Sequence, residues 1–354
     1  MFKKALMIAA VLMPAVSSAA QTAATPDAPL QKVFRNWQVT CNNLNDCDIR
    51  NLDEGLRIIV ERKAGPDGSV ELKFQGFGND SPEGIWLDGK RWPTDITFSK
   101  ASDDDFNVAS SSRLATIQQW IKASKNAREL SLSPQGDAAS LSGLNAALLL
   151  VDERQGRLQN QTALLRVGNN EPAMVPPRPA PPALNFDVPK VVKLDNAEAL
   201  IDGAIKTHAS LLEKESCESD AENRDRSEAQ PLNDKQALVL VNCGLGAYQS
   251  SSMLFISDRT DPTRSVSLTL PLPLPGENDQ PETLSWFTEA EYDPETATLF
   301  FSGRGRGIAD CGHSGSWKFD GKTFHLASYN SQPSCNGGEP GDWPSVWETA
   351  GSDR

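Results

Sequence analysis

Six cysteines behind an N-terminus built for export constrain this 354-residue chain more than any other feature of it. Lys3 and Lys4 precede an apolar run from Ala5 to Val16, broken only by Pro14, and Ser17-Ser18-Ala19-Ala20 supplies small residues before Gln21. Charge, apolar stretch and small-residue cleavage site follow in the order of a secretory signal peptide. The run is shorter than the roughly 20 apolar residues that a spanning helix needs. No cysteine ends it to carry a lipid, and no later segment approaches that length. The expectation is a signal peptide over residues 1–20, a secreted, periplasmic protein, and no transmembrane segment after signal removal.

In an oxidising compartment Cys41, Cys47, Cys217, Cys243, Cys311 and Cys335 read as disulfides. Six cysteines allow many connectivities. The economical one is local, Cys41–Cys47, Cys217–Cys243 and Cys311–Cys335, so that each bridge closes one loop within one half of the chain. By chain entropy each of the two longer loops contributes about 3 kcal/mol. Zinc is the competing use of such residues. No C-x-x-C pair occurs, and His208, His313 and His325 do not fall at ligand spacing with the cysteines. No metal and no cofactor are expected.

Residues 172–189 contain seven prolines. Proline fixes φ and removes a donor, so this stretch favours an extended, semi-rigid connector. It divides the chain into an expected N-terminal domain over 30–170, a linker over 171–190 and a C-terminal domain over 191–350.

The first half opens with strand patterns. Phe34 to Thr40 alternates around Trp37 and Val39, and Leu56–Val60 and Val70–Phe74 flank the turn Gly65-Pro66-Asp67-Gly68, as in a hairpin. Ile85-Trp86-Leu87 ends at the turn Asp88-Gly89, and Ile96 with Phe98 marks a further strand. The period then changes. Leu114, Ile117 and Ile121 recur at helical spacing over about 112–126, and Leu141, Leu144, Leu148 and Val151 mark a second helix, with Ser140 as its N-cap and Gly156 as its stop.

After the linker, Asp195 is placed to cap a helix carrying Leu200, Ile201, Ile205 and Leu212, with the charged stretch from Cys217 to Glu228 as its solvated continuation or a loop. Strands are then expected at Leu238–Val241, Met253–Ile256, Val266–Leu270, Leu284–Phe287, Thr298–Phe301, Ser316–Phe319 and Phe324–Ala327, the last two joined by Asp320-Gly321. Strands followed by helices make the fold class α+β. Two disulfide-stapled domains are expected, an N-terminal β-sheet with two helices and a C-terminal β-rich domain preceded by a helix.

The formal net charge is −13, and losing residues 1–20 removes two lysines and no acid, giving −15. Such an acidic chain lacks the clustered Lys and Arg that nucleic acid and anionic membranes reward. No nucleic-acid partner is expected.

Four short motifs carry potential chemistry. In Gly303-Arg304-Gly305-Arg306-Gly307 the glycines permit close backbone approach and the arginines can hold a carboxylate or phosphate bidentately. Phosphate loops open a helix, whereas here Ile308-Ala309-Asp310-Cys311 and a strand follow, so a disulfide-anchored turn is the competing account. Gly312-His313-Ser314-Gly315-Ser316 sets a histidine beside serines without the G-x-S-x-G spacing of a nucleophile elbow. Neighbours in an extended chain face opposite ways, so His313 is badly placed to serve Ser314. Asp103-Asp104-Asp105-Phe106-Asn107 begins like a calcium loop, but Val108 and Leu114 stand where an EF-hand wants Gly and Glu, which leaves a solvated acidic loop. Trp343 and Trp347 close a core or present an aromatic surface.

Taken together, these residues resemble a family of Gram-negative exported proteins, domain-of-unknown-function family 1176. The resemblance covers nearly the whole mature chain. It rests on the six cysteines, Trp37-Gln38-Val39-Thr40-Cys41, Ala64–Gly68, Gly246-Ala247-Tyr248, the Gly303–Gly307 loop with Asp310-Cys311-Gly312, Trp317–Gly321 and Asp342-Trp343-Pro344. It implies export and a disulfide framework, and no activity. The first half is also similar to the invasion-associated locus B proteins, small periplasmic proteins linked to host-cell or envelope interaction. Trp37-x-Val39-x-Cys41 with Cys47, Gly84-Ile85 before Leu87-Asp88-Gly89, and Ser140–Leu144 carry that likeness. That family's second cysteine pair has no counterpart between Phe98 and Ser112, so the resemblance implies a shared fold rather than a shared binding surface.

The functional expectation is a non-enzymatic periplasmic binding or envelope-associated protein whose partner is an envelope protein or a small ligand. Arg304, Arg306, Asp310 and His313 are the candidate ligand-binding residues, and no catalytic residue is assigned. The alternative is a periplasmic hydrolase, or a carbohydrate- or peptide-processing enzyme, with its site near the same loop.

Overall fold

A computed structural model describes residues 28–76, 82–99, 106–276 and 279–351. The signal-like segment and the acidic run Asp103–Asp105 lie outside the described residues. The first half contains strands β1 (Leu30–Phe34), β2 (Trp37–Cys41), β3 (Cys47–Asn51), β4 (Arg57–Arg62), β5 (Val70–Gln75), β6 (Ile85–Leu87), β7 (Lys90–Trp92) and β8 (Asn107–Ser111). Helix α1 (Leu114–Ser124), strands β9 (Glu129–Ser131) and β10 (Ala138–Ser140), and helix α2 (Leu144–Arg154) complete it.

Strands β1 to β5 form an antiparallel meander closed by β8, and β10-β9-β6-β7 make a second small sheet. One face of the six-stranded sheet carries Trp37, Val39, Ile49, Val60, Leu72 and Phe74. It buries them against Ile117 and Trp120 of α1 and Ala147, Leu148 and Val151 of α2. Phe74 and Trp120 meet edge to face at 6.1 Å, the geometry that aromatic quadrupoles favour.

The second half runs through α3 (Ala197–Thr207), α4 (Ala209–Lys214), α5 (Ala221–Asp225), β11 (Glu228–Pro231), β12 (Gln236–Leu245), β13 (Ser250–Asp258) and β14 (Asp261–Ser267). It continues with β15 (Leu270–Pro275), β16 (Pro281–Leu284), β17 (Phe287–Thr288) and β18 (Glu291–Asp293), then β19 (Thr298–Arg304), β20 (Gly312–Phe319), β21 (Phe324–Gln332) and β22 (Ser345–Glu348). One sheet has the order β11-β12-β13-β14, with β17 also paired to β13, and another has the order β18-β19-β20-β21-β22. Leu200, Ile201 and Ala204 of α3 pack on Val239, Val241 and Phe255. A separate core gathers Leu299, Phe301, Trp317, Phe319 and Tyr329.

Among the described residues the chain is mainly β-sheet with five α-helices, so α+β describes it broadly and overstates its helical part. Ser140 ends β10 and does not cap α2, whose N-cap is Gly143 at φ +106°. The single helix expected after the linker is three helices. The chain breaks at His208, and Asp220 caps α5 by accepting from the Asn223 backbone N–H at 2.9 Å. Val266–Leu270 and Leu284–Phe287 each straddle two strands rather than forming one.

Cystines join Cys41 to Cys47, Cys217 to Cys243 and Cys311 to Cys335. The first links register partners of β2 and β3. The proline-rich segment is strapped to both halves. Val175 is buried, Arg178 donates to the Asp46 carboxylate at 3.0 and 2.8 Å, and Pro182 O accepts the Ala350 N–H at 2.8 Å.

The second face of the six-stranded sheet is largely polar, and a part of it is buried too. Gln38, Thr40, Arg50, Arg57 and Gln75 are almost inaccessible to solvent. The segment 331–348 covers them. Gln38 donates to Gln332 Oε1 at 3.2 Å, Arg57 donates to Asn336 Oδ1, and Asn336 donates to Asn51 O at 2.9 Å. Arg50 donates to Asp342 O at 2.7 Å, and Asn42 donates to Glu348 Oε1 at 3.0 Å. Buried polar groups are costly unless paired, and here each half supplies the partners of the other.

Candidate functional site

The Gly303–Gly307 loop leaves β19 and returns to β20. Its three glycines are explained by what lies against them. A Cβ on Gly303 would stand 3.1 Å from the His313 ring, one on Gly305 2.6 Å from Cys311 Sγ, and one on Gly307 3.0 Å from the Tyr248 ring. Protein groups thus pack closely against all three glycines.

The arginines differ. Arg306 holds Asp310 through a fork at 2.7 and 2.6 Å, and Asp310, buried at 1% exposure, also accepts the Gly337 N–H at 2.6 Å. The Arg306 hydrogen bonds outweigh burial and hold the Asp310 carboxyl below its usual range. Arg304 is clamped by its backbone, which donates to Gln249 Oε1 at 2.9 Å and accepts from Gln249 Nε2 at 3.2 Å. Its half-buried side chain has no ion-pair partner among the described residues.

His313 turns away from both. Its Nδ1 lies 3.1 Å from the Tyr329 hydroxyl, its ring meets Phe301 edge to face at 5.0 Å, and burial pushes its pKa down. Ser314 instead lies with Asn330, whose Nδ2 donates to its Oγ at 3.5 Å. The structure thus joins Arg306 to Asp310 and sets His313 in a different contact. Asp310 also lies within 4.8 Å of the sulfurs of Cys311 and Cys335, but these are bonded to each other and offer no thiolate to a metal.

The turn between β12 and β13 packs onto this loop. Tyr248, at 64% exposed, lies over Gly307 beside Ile308, which is 56% exposed. Sequence reasoning placed Gly246-Ala247-Tyr248 in the framework only; no sequence signal reports that residues 248 and 307 meet. Trp343 packs on Gly312 and donates to Ala309 O at 3.1 Å, so it braces the loop, while Trp347 packs at the edge of the core.

A second polar region lies where the halves meet, a cleft of about 190 Å³ lined in part by Asp46, Asp48, Arg50, Lys63, Asp342 and Glu348. Arg50 grips Asp48 with two bonds of 2.7 Å. Asp46 accepts from Arg178, from the Ala64 N–H at 2.9 Å and from Lys63 at 3.1 Å, and although burial opposes it, these partners lower its pKa.

These features define a mainly β protein, stapled by three cystines as proteins of oxidising compartments are. No helix among the described residues is long and apolar enough to cross a membrane. Residues 31–350 match the family described as a protein of unknown function, DUF1176, and the chain belongs to that family. It is similar to the uncharacterized protein YpfG of Escherichia coli (strain K12), with 32% identity over 335 residues, 91% of this chain and 94% of that one. No solved structure matches it.

Proposed function

We propose that this chain is a non-catalytic binding protein of the periplasm, exported by a signal peptide over residues 1–20. Its units over 30–170 and 191–350, joined by 171–190, present a surface to an envelope protein or a small ligand, and to no nucleic acid. The observation that carries this reading is the rigid double loop. Gln249 clamps the Arg304 backbone from both sides, and Tyr248, packed over Gly307, and Ile308 stand exposed at the loop that carries Arg304 and Arg306. Tyr and Arg on a preorganised surface are the residue types that dominate binding energy at interfaces. The resemblance of the first half to invasion-associated locus B proteins supports an envelope setting.

The test is photo-crosslinking in periplasmic extract with the crosslinker at position 248, alongside Arg304→Ala, which leaves the Arg306–Asp310 pair intact. A discrete adduct that is identified by mass spectrometry and weakened by Arg304→Ala is expected. The reading is refuted by an adduct pattern matching that of a crosslinker at Lys125, or by no response to the substitution. Mass measurement of the exported form tests the leader, with Gln21 expected as the first residue.

A further inference from the structure

Away from the double loop, the outer face of the β18–β22 sheet forms the floor of a groove of about 600 Å³, within the range of roughly 300–1,000 Å³ that ligand sites occupy. Alternation along β19, β20 and β21 puts the aromatic residues Phe301, Trp317 and Tyr329 into the core. The opposite face is left to Phe300, Ser314, Ser316, Ser328 and Asn330. One wall is Leu184 of the proline-rich segment and the other is the chain around Ala350, and the two are tied by the Ala350–Pro182 hydrogen bond.

The chemistry of this lining is specific. Lys318 is the only charged residue lining the groove among the described residues, in a chain of which 23% is charged. An anionic polymer would find a single counter-charge there, and a metal ion would lack carboxylates. The floor belongs to the inner strands of the sheet, so a peptide finds no free edge on which to add as a strand. What the groove offers is hydroxyls. Ser316 and Ser328 share one hydrogen bond of 2.7 Å, and Ser314 accepts one from Asn330 at 3.5 Å. Each hydroxyl has one donor and two lone pairs, so both pairs keep capacity for a ligand that donates and accepts with equal ease. Beside them the Phe300 ring is 44% exposed, an apolar platform in register with Ser316.

An aromatic plate flanked by hydroxyl and amide groups, with almost no charge, complements a polyhydroxylated ring that has an apolar C–H face and a polar rim. We propose that this groove binds a linear, uncharged oligosaccharide, one sugar ring stacking on Phe300 and its hydroxyls exchanging hydrogen bonds with the Ser314–Asn330 and Ser316–Ser328 pairs.

Isothermal titration of the full-length oxidised protein with maltohexaose and with the hexamer of β-1,4-linked N-acetylglucosamine tests this, with hexa-alanine as a neutral peptide control. Saturable binding of at least one sugar is expected. Phe300→Ala should weaken it by about tenfold, as loss of an aromatic contact does, and Phe300→Trp should preserve it. Asn330→Ala serves as a second variant, also expected to weaken binding, with unchanged unfolding midpoints as the control. Binding of neither sugar, equal binding of hexa-alanine, or an affinity indifferent to both Phe300→Ala and Asn330→Ala overturns the proposal.

Discussion

Asp46 is the place where a single substitution tests how the first half and the proline-rich segment are held together. Its carboxylate is 6% exposed and accepts from Arg178, Lys63 and the Ala64 backbone N–H. Replacing it with alanine has unequal consequences for these donors. The Arg178 and Lys63 side chains are 35% and 50% exposed, so water takes over their charges, and each pair contributes no more than about 1 kcal/mol. The Ala64 N–H belongs to a buried residue, and stranding a buried donor costs about 1–3 kcal/mol. Asp46→Ala should therefore destabilise the protein by about 2–4 kcal/mol. Asp46→Asn keeps an oxygen for Ala64 and should cost about 1 kcal/mol, the share of the lost charge.

Guanidinium unfolding of the oxidised protein, followed by tryptophan fluorescence, reads both values. Chymotrypsin cleavage after Leu184 or Phe186 of the same segment reports release of the strap and should accelerate in the alanine variant. The reasoning is refuted if Asp46→Ala falls within about 0.5 kcal/mol of wild type, the usual range for an unspecial surface site. It is also refuted if the two variants cost the same, because the buried N–H would then contribute nothing.

Three further outcomes are expected. Stability should fall on acidification, because the carboxyls of Asp46 and Asp310 are held below their ordinary value of 3.8. Their contribution is complete above that value and is lost as pH drops through the lower folded-state values, so unfolding midpoints between pH 5 and pH 2 should decline, and less steeply in Asp46→Asn. Gly305→Ala should destabilise by about 1–3 kcal/mol, because its new methyl would stand 2.6 Å from Cys311 Sγ; denaturation should show it, and Gly276→Ala, whose Cβ would meet nothing nearer than 3.4 Å, serves as the comparison. Asn336→Ala should cost about 2–4 kcal/mol by leaving Arg57 buried without its acceptor and Asn51 O without its donor, and hydrogen exchange should rise in β3 and β4 before the α1–α2 side of the sheet responds.

Much of the local architecture is legible in the chain. Trp37 and Val39 alternate as a half-apolar strand does, Asp320-Gly321 joins β20 to β21, and Leu114, Ile117 and Ile121 lie within α1. The cysteines pair over separations of 6, 26 and 24 residues, so local spacing and the geometry agree. The misjudged elements have identifiable causes. Ser140 is a good capping residue by type, but β9 claims it as a strand partner opposite Glu129. The pattern around Leu200 and Leu212 is helical throughout, yet the chain turns at His208, whose ring stacks on Phe255 at 4.5 Å.

The Gly303–Gly307 loop shows the limit of motif reading. Glycine reports that something approaches the backbone, without saying what. Here it is an imidazole, a cystine and a phenol ring, and the last comes from a turn 59 positions earlier in the chain, at Tyr248.

By itself, the sequence determined the cystine framework and the strand periodicity, because each is written in neighbouring residues or in a short closed loop. Only the tertiary structure decided that the part of the first sheet's polar face around Gln38, Arg50 and Arg57 is dry. Gln38 and Arg57 stand between apolar neighbours, and Arg50 follows Ile49, as on the solvent side of a sheet, and alternation identifies a polar face without saying what covers it. Their covers, Gln332, Asp342 and Asn336, lie 294, 292 and 279 residues away along the chain. No local pattern encodes such a pairing; it exists only once both halves have folded and the partners of each buried polar group meet.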